Sequence, residues 1–438
     1  MNTPIVDFVK KYGSGKNSRL HMPGHKGKGF LGAEKWDITE IKGADSLYEA
    51  QGIIKESEEN ATKLFGSGAT FYSTEGSSQC IKAMLWLAIS QNDKSKTIFA
   101  ARNAHKAFLS AAALIDFDIT WLYPKEFTSL CSCVITPEQL ESELKKAETP
   151  PAAVYITSPD YLGGTCDIKA LANVCHENGT LLLVDNAHGA YLRFLNPSIH
   201  PMDLGADMCC DSAHKTLPVL TGGAYLHIGK NLEKSFAENA KNALMTFGST
   251  SPSYLTLASL DACNKYLTGY SEKLLKCVCK IDTLKQTLKN SGLGIYDSDP
   301  LKLTVFGAGD MKKVAENLEK HGVYCEYADK DFLTLMFTPN NSKRDFKRVK
   351  KLLSGLKREN DLTPLDLTVG EKVTSVRTAY FGKNETVAVK DAVGRVCACP
   401  TVSCPPAIPI VVSGEIIKES HLELFENYGI QTVSVIKE

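Results

Sequence analysis

Residues 181–223 read LLLVDNAHGAYLRFLNPSIHPMDLGADMCCDSAHKTLPVLTGG. The first five are apolar until the last, which is the pattern of a strand covered on both faces in a parallel sheet. Open α/β sheets place their ligands beyond the carboxyl ends of such strands, and there the chain puts Asp185. An aspartate in that place can stabilise a positive ring nitrogen, or it can simply cap the next turn. Further on, Lys215 stands between Ser212, His214 and a Pro/Gly-rich loop. Desolvation and a neighbouring cation lower an amine's pKa and suit it to Schiff-base chemistry, unlike a solvated lysine on a helix face.

The flanking sequence repeats the alternation. Thr97–Ala101, Ala152–Thr157 and Ala224–Ile228 read as further buried strands, and Ile81–Ser90, Glu138–Lys146 and Ile168–Asn178 as helices between strands. Another helix, carrying Ile54, Ala61, Leu64 and Phe65, should stop at Gly66. The expected class is α/β, with a mostly parallel sheet covered on both faces. After about residue 290 the texture changes. Strands at Leu301–Phe306, Val323–Tyr327 and Phe332–Thr338, a helix ending near Gly322 and another from about Arg344 predict a smaller α+β unit. The expected divisions are an N-terminal arm at 1–50, a large domain at 51–290 and a C-terminal domain at 291–438.

Composition narrows the function. The 438 residues carry 50 Lys+Arg against 50 Asp+Glu, so no positive surplus exists to drive nucleic-acid binding. The stretch SKRDFKRVKKLLSGLKR spaces Phe346, Val349, Leu353 and Leu356 at helical period, so its cations read as the wet side of an amphipathic helix. The longest apolar run, near Ala83–Ile89, is far short of a membrane span, and the first residues lack a signal-peptide layout. A cytoplasmic protein is expected. Its 14 cysteines include C-x-C pairs but no C-x-x-C, so they read as reduced thiols and no metal site is expected. His21 and His25 have ligand-pair spacing, but Pro23 and Gly24 forbid the helix that would align them.

Two more features fall into line with Asp185 and Lys215. Gly76, Ser77 and Ser78 precede Ile81, Met84, Leu85 and Ala88 at helical period. A Gly-Ser-Ser helix start presents N–H groups, the positive dipole end and two hydroxyls to a phosphate, although the same residues also serve as ordinary caps. His105 follows the strand Thr97–Ala101 and can stack on an aromatic cofactor, or be a plain surface or core histidine.

Phosphate cradle, stacking histidine, strand-end aspartate and then lysine is the order of a pyridoxal-phosphate enzyme, and here the chain resembles the Orn/Lys/Arg decarboxylases of the aspartate-aminotransferase-like fold (fold type I). RLHMPGHKGKG looks like that family's N-terminal PGHK segment, and ADSLYEAQGIIKESEENATKLFGS like the stretch entering its cofactor domain. DSAHKTLP is similar to its S-x-H-K lysine motif, TSPSY (Thr250–Tyr254) to a segment reaching a neighbouring subunit's cofactor phosphate, and PPAIPIVVSGE to its C-terminal signature.

The resemblance implies pyridoxal 5'-phosphate carried by Lys215, with Asp185 keeping the pyridine nitrogen protonated and His105 stacked on the ring. It implies phosphate contacts from Gly76, Ser77, Ser78, Ser212 and His214, with Thr250 or Ser251 entering from a second chain of a homodimer whose active site lies at the subunit interface. His188 would lie beneath or beside the ring. The implied activity is decarboxylation of lysine, ornithine or arginine to CO2 and a polyamine precursor. Alternatives are another reaction of the same cofactor, such as transamination, and a chain that binds the cofactor without catalysis.

Several positions depart from the family pattern. Asn186 stands where a Glu follows the aspartate. In GRVCACPTVSCPPAIP, Cys399 replaces the usual Glu and Cys404 the usual Tyr; Ala407 replaces a Gly, and Ser413 a Pro. An acid is what a distal ammonium or guanidinium would pair with. Asp45, Glu49 and Asp160 are the other candidates for it, each also readable as a surface carboxylate.

Overall fold

A computed structural model of the chain describes residues 1–365, 367, 370–402 and 406–437. Along it run α1 (Pro4–Ser14), α2 (Ile53–Phe65), β1 (Ala69–Ser73), α3 (Ser77–Ser90), β2 (Thr97–Ala101), α4 (Lys106–Ile115), β3 (Asp118–Leu122), α5 (Pro137–Lys146) and β4 (Ala153–Thr157). Then come α6 (Ile168–Glu177), β5 (Leu181–Asp185), α7 (Pro201–Leu204), β6 (Met208–Asp211), α8 (Ala213–Thr216), β7 (Ala224–Ile228), α9 (Lys234–Thr246), α10 (Tyr254–Leu267) and α11 (Tyr270–Asn290). The remainder holds β8 (Gly294–Ile295), β9 (Lys302–Phe306), α12 (Met311–Lys320), β10 (Tyr327–Ala328), β11 (Phe332–Met336), α13 (Lys343–Leu353), α14 (Val376–Phe381), β12 (Asn384–Ala388), α15 (His421–Asn427) and β13 (Thr432–Ile436).

The principal sheet has seven strands in the order β1-β7-β6-β5-β4-β2-β3. It is mostly parallel: β5 with β6, and β2 with both β3 and β4, run in the same direction. Strand β7 is antiparallel to β1 and to β6. The chain forms two compact units, residues 1–94 with 168–272 and residues 95–167 with 273–438.

In the first unit, β5 and β6 pair with Asp185 opposite Cys210. Leu182, Leu183 and Val184 are fully buried, as the continuous apolar run requires. Helix α2 ends at Gly66 (φ +66), whose N–H bonds to the Thr62 carbonyl. The first 50 residues are not all irregular: α1 buries Ile5 and Val9. Its opening N–H groups at Ile5 and Val6 both donate at 3.0 Å to Asp261 of α10. That cap comes from a distant residue, so local sequence does not announce it. Between α1 and α2, His21 and His25 lie outside any helix, and His25 Nε2 meets Asp37 at 3.1 Å.

In the second unit, a four-stranded antiparallel sheet has the order β10-β11-β9-β8, and β12 pairs antiparallel with β13. Helix α5 begins with a capping box between Thr136 and Gln139, and α13 with one between Ser342 and Asp345. Such caps contribute about 1 kcal/mol each. Helix α13 buries Val349 and Leu353 and leaves Lys343, Lys347 and Lys350 exposed, so its cations are the wet face. The strand expected at Val323–Tyr327 shrinks to β10, which pairs with β11 through Tyr327 and Ala328 only. Tyr324 is 78% exposed, so no described residue covers that side of the segment.

The turn before β7 has one position that only glycine suits. Gly222 has φ +94, and a Cβ there would sit 2.6 Å from the Thr74 carbonyl oxygen. Its own carbonyl accepts the Gly76 N–H at 2.7 Å. Gly222→Ala should lower stability by about 1–3 kcal/mol in equilibrium urea unfolding. An unchanged midpoint would show that the turn relaxes freely.

Candidate active site

The sequence-predicted cradle is first a backbone feature. Gly76 is the N-cap of α3 at φ +74, and a Cβ there would meet nothing within 4 Å. With no side chain on its N-cap, α3 starts with N–H groups at the positive end of its dipole that the cap residue leaves open. Ser77 and Ser78 form its first turn. The Ser212 hydroxyl donates to the Ser77 hydroxyl at 2.7 Å, so two hydroxyls from remote parts of the chain meet at this helix start.

Asp185 closes β5 and is 2% exposed. Its Oδ1 accepts the Ala187 N–H at 3.2 Å and lies 3.6 Å from Cys210 Sγ. Burial, and then the Asp185 charge, push the Cys210 thiol well above its ordinary range. The thiol therefore stays protonated and donates to the carboxylate.

Lys215 lies in α8, where its Nζ is 3.1 Å from His188 Nε2. With the amine as donor, His188 accepts through a neutral Nε2, which can hold or return a proton of that amine. His214 Nδ1 and its backbone N–H both point to the Gly223 carbonyl oxygen, at 3.0 and 3.2 Å, which fixes the hydrogen of that ring on Nδ1. Thr250 and Ser251 are exposed in the loop before α10, whose N-cap is Ser253.

Other predicted residues belong to the second unit. His105 is the N-cap of α4, its Nδ1 accepting the Ala107 N–H at 3.1 Å. The next residue's N–H donates to the Ala407 carbonyl at 2.9 Å. The C-terminal signature is held by Arg102, whose guanidinium donates to the carbonyls of Pro409 and Ile410 at 2.8 Å each. Glu415 ends that signature, its Oε2 accepting the Val412 N–H at 3.0 Å. Burial raises the Glu415 carboxyl's pKa, with the Arg102 charge opposing. Cys399 is half-buried and neighbours Tyr380, whose phenol pKa is raised by burial first and by Cys399 among the lesser causes. Cys404 lies outside the described residues.

The candidate substrate acids differ in their surroundings. Asp45 is engaged by its own backbone: its carboxylate accepts N–H groups from Ser46, Gln51, Gly52 and Ile54 and so caps α2. Those bonds hold its pKa below the usual carboxylate value against the opposing effect of burial. Glu49 is exposed. Asp160 is not a surface carboxylate but 1% exposed, accepting the N–H groups of Gly163 and Gly164 at 2.9 and 2.8 Å. Sequence reading passed over Asp211, His200 and His227, which form one buried hydrogen-bonded group. The alternation of β6 and β7 could have signalled them, because polar residues facing inward in buried strands need partners.

The fold is that of the fold-type-I pyridoxal-phosphate enzymes. The donors around Lys215 suit the cofactor: an amine for the aldehyde, a buried carboxylate for the ring nitrogen, and a hydroxyl-lined, uncapped helix start for the phosphate. The Orn/Lys/Arg decarboxylase major domain matches residues 3–308, and the C-terminal domain of the same family matches residues 369–428. The chain belongs to the Orn/Lys/Arg decarboxylase family and is a pyridoxal-phosphate-dependent amino-acid decarboxylase. A Bacillus subtilis relative, Uncharacterized protein YaaO, is 30% identical over 99% of this chain and 95% of its own. The arginine decarboxylase of the same organism is 29% identical over 97% and 93%, and that of Halalkalibacterium halodurans 29% over 96% and 92%. Among solved structures, the Francisella novicida lysine decarboxylase LdcF shares the fold with a TM-score of 0.83 at 18% identity, covering 99% of this chain and 81% of that one.

Asp160 gives a pH test of this electrostatic picture. Burial pushes its pKa up to about 6, with Lys302 opposing. The folded chain therefore binds this proton more tightly than the unfolded one, and the stability it contributes is present below about pH 4 and lost as pH rises through about 6. Relative to wild type, Asp160→Asn should gain on the order of 2 kcal/mol between those pH values in urea unfolding. A pH-independent difference would refute the assigned cause.

Proposed function

We propose that this chain releases CO2 from a basic amino acid, with arginine first among arginine, lysine and ornithine, and yields agmatine or a diamine as a polyamine precursor. The reading is carried by the Lys215–His188 contact in the unit whose β5 ends at Asp185. Arginine is placed first because relatives matching over nearly their whole length bear that activity in their names.

In this reading Lys215 would carry the cofactor and Asp185 would face its ring nitrogen. Gly76, Ser77, Ser78, Ser212 and His214 take the phosphate. When bound, pyridoxal phosphate supplies the electron sink for the carbanion left as CO2 departs. His188, beneath or beside the ring, would accept a proton from Lys215 Nζ through Nε2, which would leave the amine nucleophilic.

The functional unit is a homodimer, to which Thr250 contributes across the interface. Exposure supports this. Thr250 projects in an exposed loop, and Leu20, Phe30 and Leu31 of the N-terminal arm are at least 90% exposed, an apolar surface suited to a second copy. In this reading the protein works in the reducing cytoplasm, a setting that free thiols suit. The described cysteines are free thiols, and no described helix is long and apolar enough to cross a membrane. A second reading, transamination, is favoured only by Cys399 in place of the family's Glu.

The test is turnover of arginine, lysine and ornithine separately, with CO2 trapped and products identified. Arginine should give agmatine and CO2 in equal amounts. Lys215→Ala should lose both the turnover and the bound cofactor's visible absorption. A keto acid without CO2 would establish transamination instead, and no turnover of any of the three would end the basic-amino-acid reading.

A further inference from the structure

Asp211 is the last residue of β6 and is fully buried. Because side chains alternate along a strand, the Cys210 thiol points to Asp185 while Asp211 and Cys209 point to the opposite face of the sheet. There Asp211 Oδ2 meets His200 Nε2 at 3.0 Å and His227 Nε2 at 3.1 Å, and its Oδ1 accepts the Asn186 side-chain amide at 2.6 Å.

The hydrogens of this group can be placed. The Met202 N–H donates to His200 Nδ1 at 3.3 Å, so that ring carries its hydrogen on Nε2. His227 Nε2 faces the same carboxylate, which only accepts, so its hydrogen belongs there and Nδ1 is left to accept from the Thr70 hydroxyl at 2.8 Å, itself 2.8 Å from Ser67. Two neutral imidazoles therefore donate to one carboxylate. Burial alone would raise the Asp211 pKa, and the hydrogen bonds that the two rings donate pull it the other way, below the usual range.

His200, Cys209, Asp211 and His227 bring their donor atoms within 4.8 Å of one another, a set that zinc accepts. The tautomers argue against a metal. A ligating Nε2 needs its lone pair while Nδ1–H donates outward, and His200 Nδ1 instead accepts the Met202 N–H.

The neighbours of this group give it a different use. Asn186 follows Asp185, and its backbone N–H donates to the Cys210 carbonyl at 3.0 Å. Asp211 precedes Ser212, whose hydroxyl meets Ser77 at the start of α3. A Cβ on Gly189 would lie only 1.9 Å from Asn186 Oδ1, so the Asn186 side chain occupies space that glycine leaves open. One buried carboxylate thus ties together the ends of β5 and β6.

We propose that Asp211, buttressed by His200 and His227, is a positioning residue that acts through Asn186 to set the spacing between Asp185 and Ser212, so that the cofactor's ring nitrogen and phosphate are met together. The inference rests on the cofactor contacts of Asp185 and Ser212 proposed above.

The experiment follows release of pyridoxal phosphate from the holoenzyme on dilution, with thermal unfolding of the cofactor-free chain measured in parallel. Asn186→Ala should release the cofactor about tenfold faster than wild type, the worth of one good buried hydrogen bond. Ser67→Ala, which trims the far end of the same network, controls for lost stability and should retain the cofactor like wild type. Equal release rates for Asn186→Ala and Ser67→Ala would overturn the proposal, as would stoichiometric zinc in the purified protein. Asp185→Ala and Ser212→Ala separate the two levels. If both retain the cofactor like wild type, the contact assignment itself is wrong. If both release it while Asn186→Ala does not, only the buttress fails.

Discussion

Charge buried at the ends of two paired strands is the constraint on which the cofactor-binding unit depends. A carboxylate taken out of water costs several kcal/mol unless donors already wait for it. At Asp185 the donors are the Ala187 N–H and the Cys210 thiol; at Asp211 they are two imidazoles and the Asn186 amide. The parallel register of β5 and β6 puts both carboxylates at the same edge, on opposite faces of the sheet. From there one short turn delivers Ser212 to α3 and Lys215 to His188. A register slip of one residue would exchange the faces and leave both charges without partners.

The second unit manages buried charge in a different way. Lys302 is 1% exposed and reaches the Asp160 carbonyl at 2.7 Å and the Asp299 carboxylate at 3.1 Å. Arg102 is 2% exposed and satisfies two carbonyls of the C-terminal signature, so that segment is held by a cation rather than by packing alone. This gives the proline-rich signature a structural meaning that survives the loss of its usual Glu and Tyr. What Cys399 changes is the group beside the Tyr380 phenol.

The family's decarboxylase activity and the choice of substrate rest on different parts of the chain. The former needs an amine, an acid for the ring nitrogen and a phosphate site, and one unit contains residues suited to all three. The latter needs a partner for a distal cation. Of the acids that sequence offered, Asp45 caps α2 and Asp160 closes a turn, so both already answer to the backbone.

The amino-acid sequence by itself determined those parts of the protein that are local. Continuous apolar runs located β2, β5 and β7, because a strand buried on both faces has no polar alternation to confuse it. Gly66 marked the end of α2, and the Gly76-Ser77-Ser78 start, Asp185 and Lys215 stood out by their order along the chain, since the cradle and the aspartate each also read as plain caps when taken alone. The short, mixed strands β1, β3 and β6 did not stand out, since four or five residues carry too little periodicity when their burial comes from neighbours. Nor did α1, whose first N–H groups are satisfied by Asp261 from far along the chain. Only the tertiary structure decided that Ser212 meets Ser77, that His188 accepts from Lys215 and that Asp211 gathers two histidines. Each of these contacts joins residues distant in sequence, and the reason they form is the cost of leaving a buried polar group unpaired, which no local pattern records.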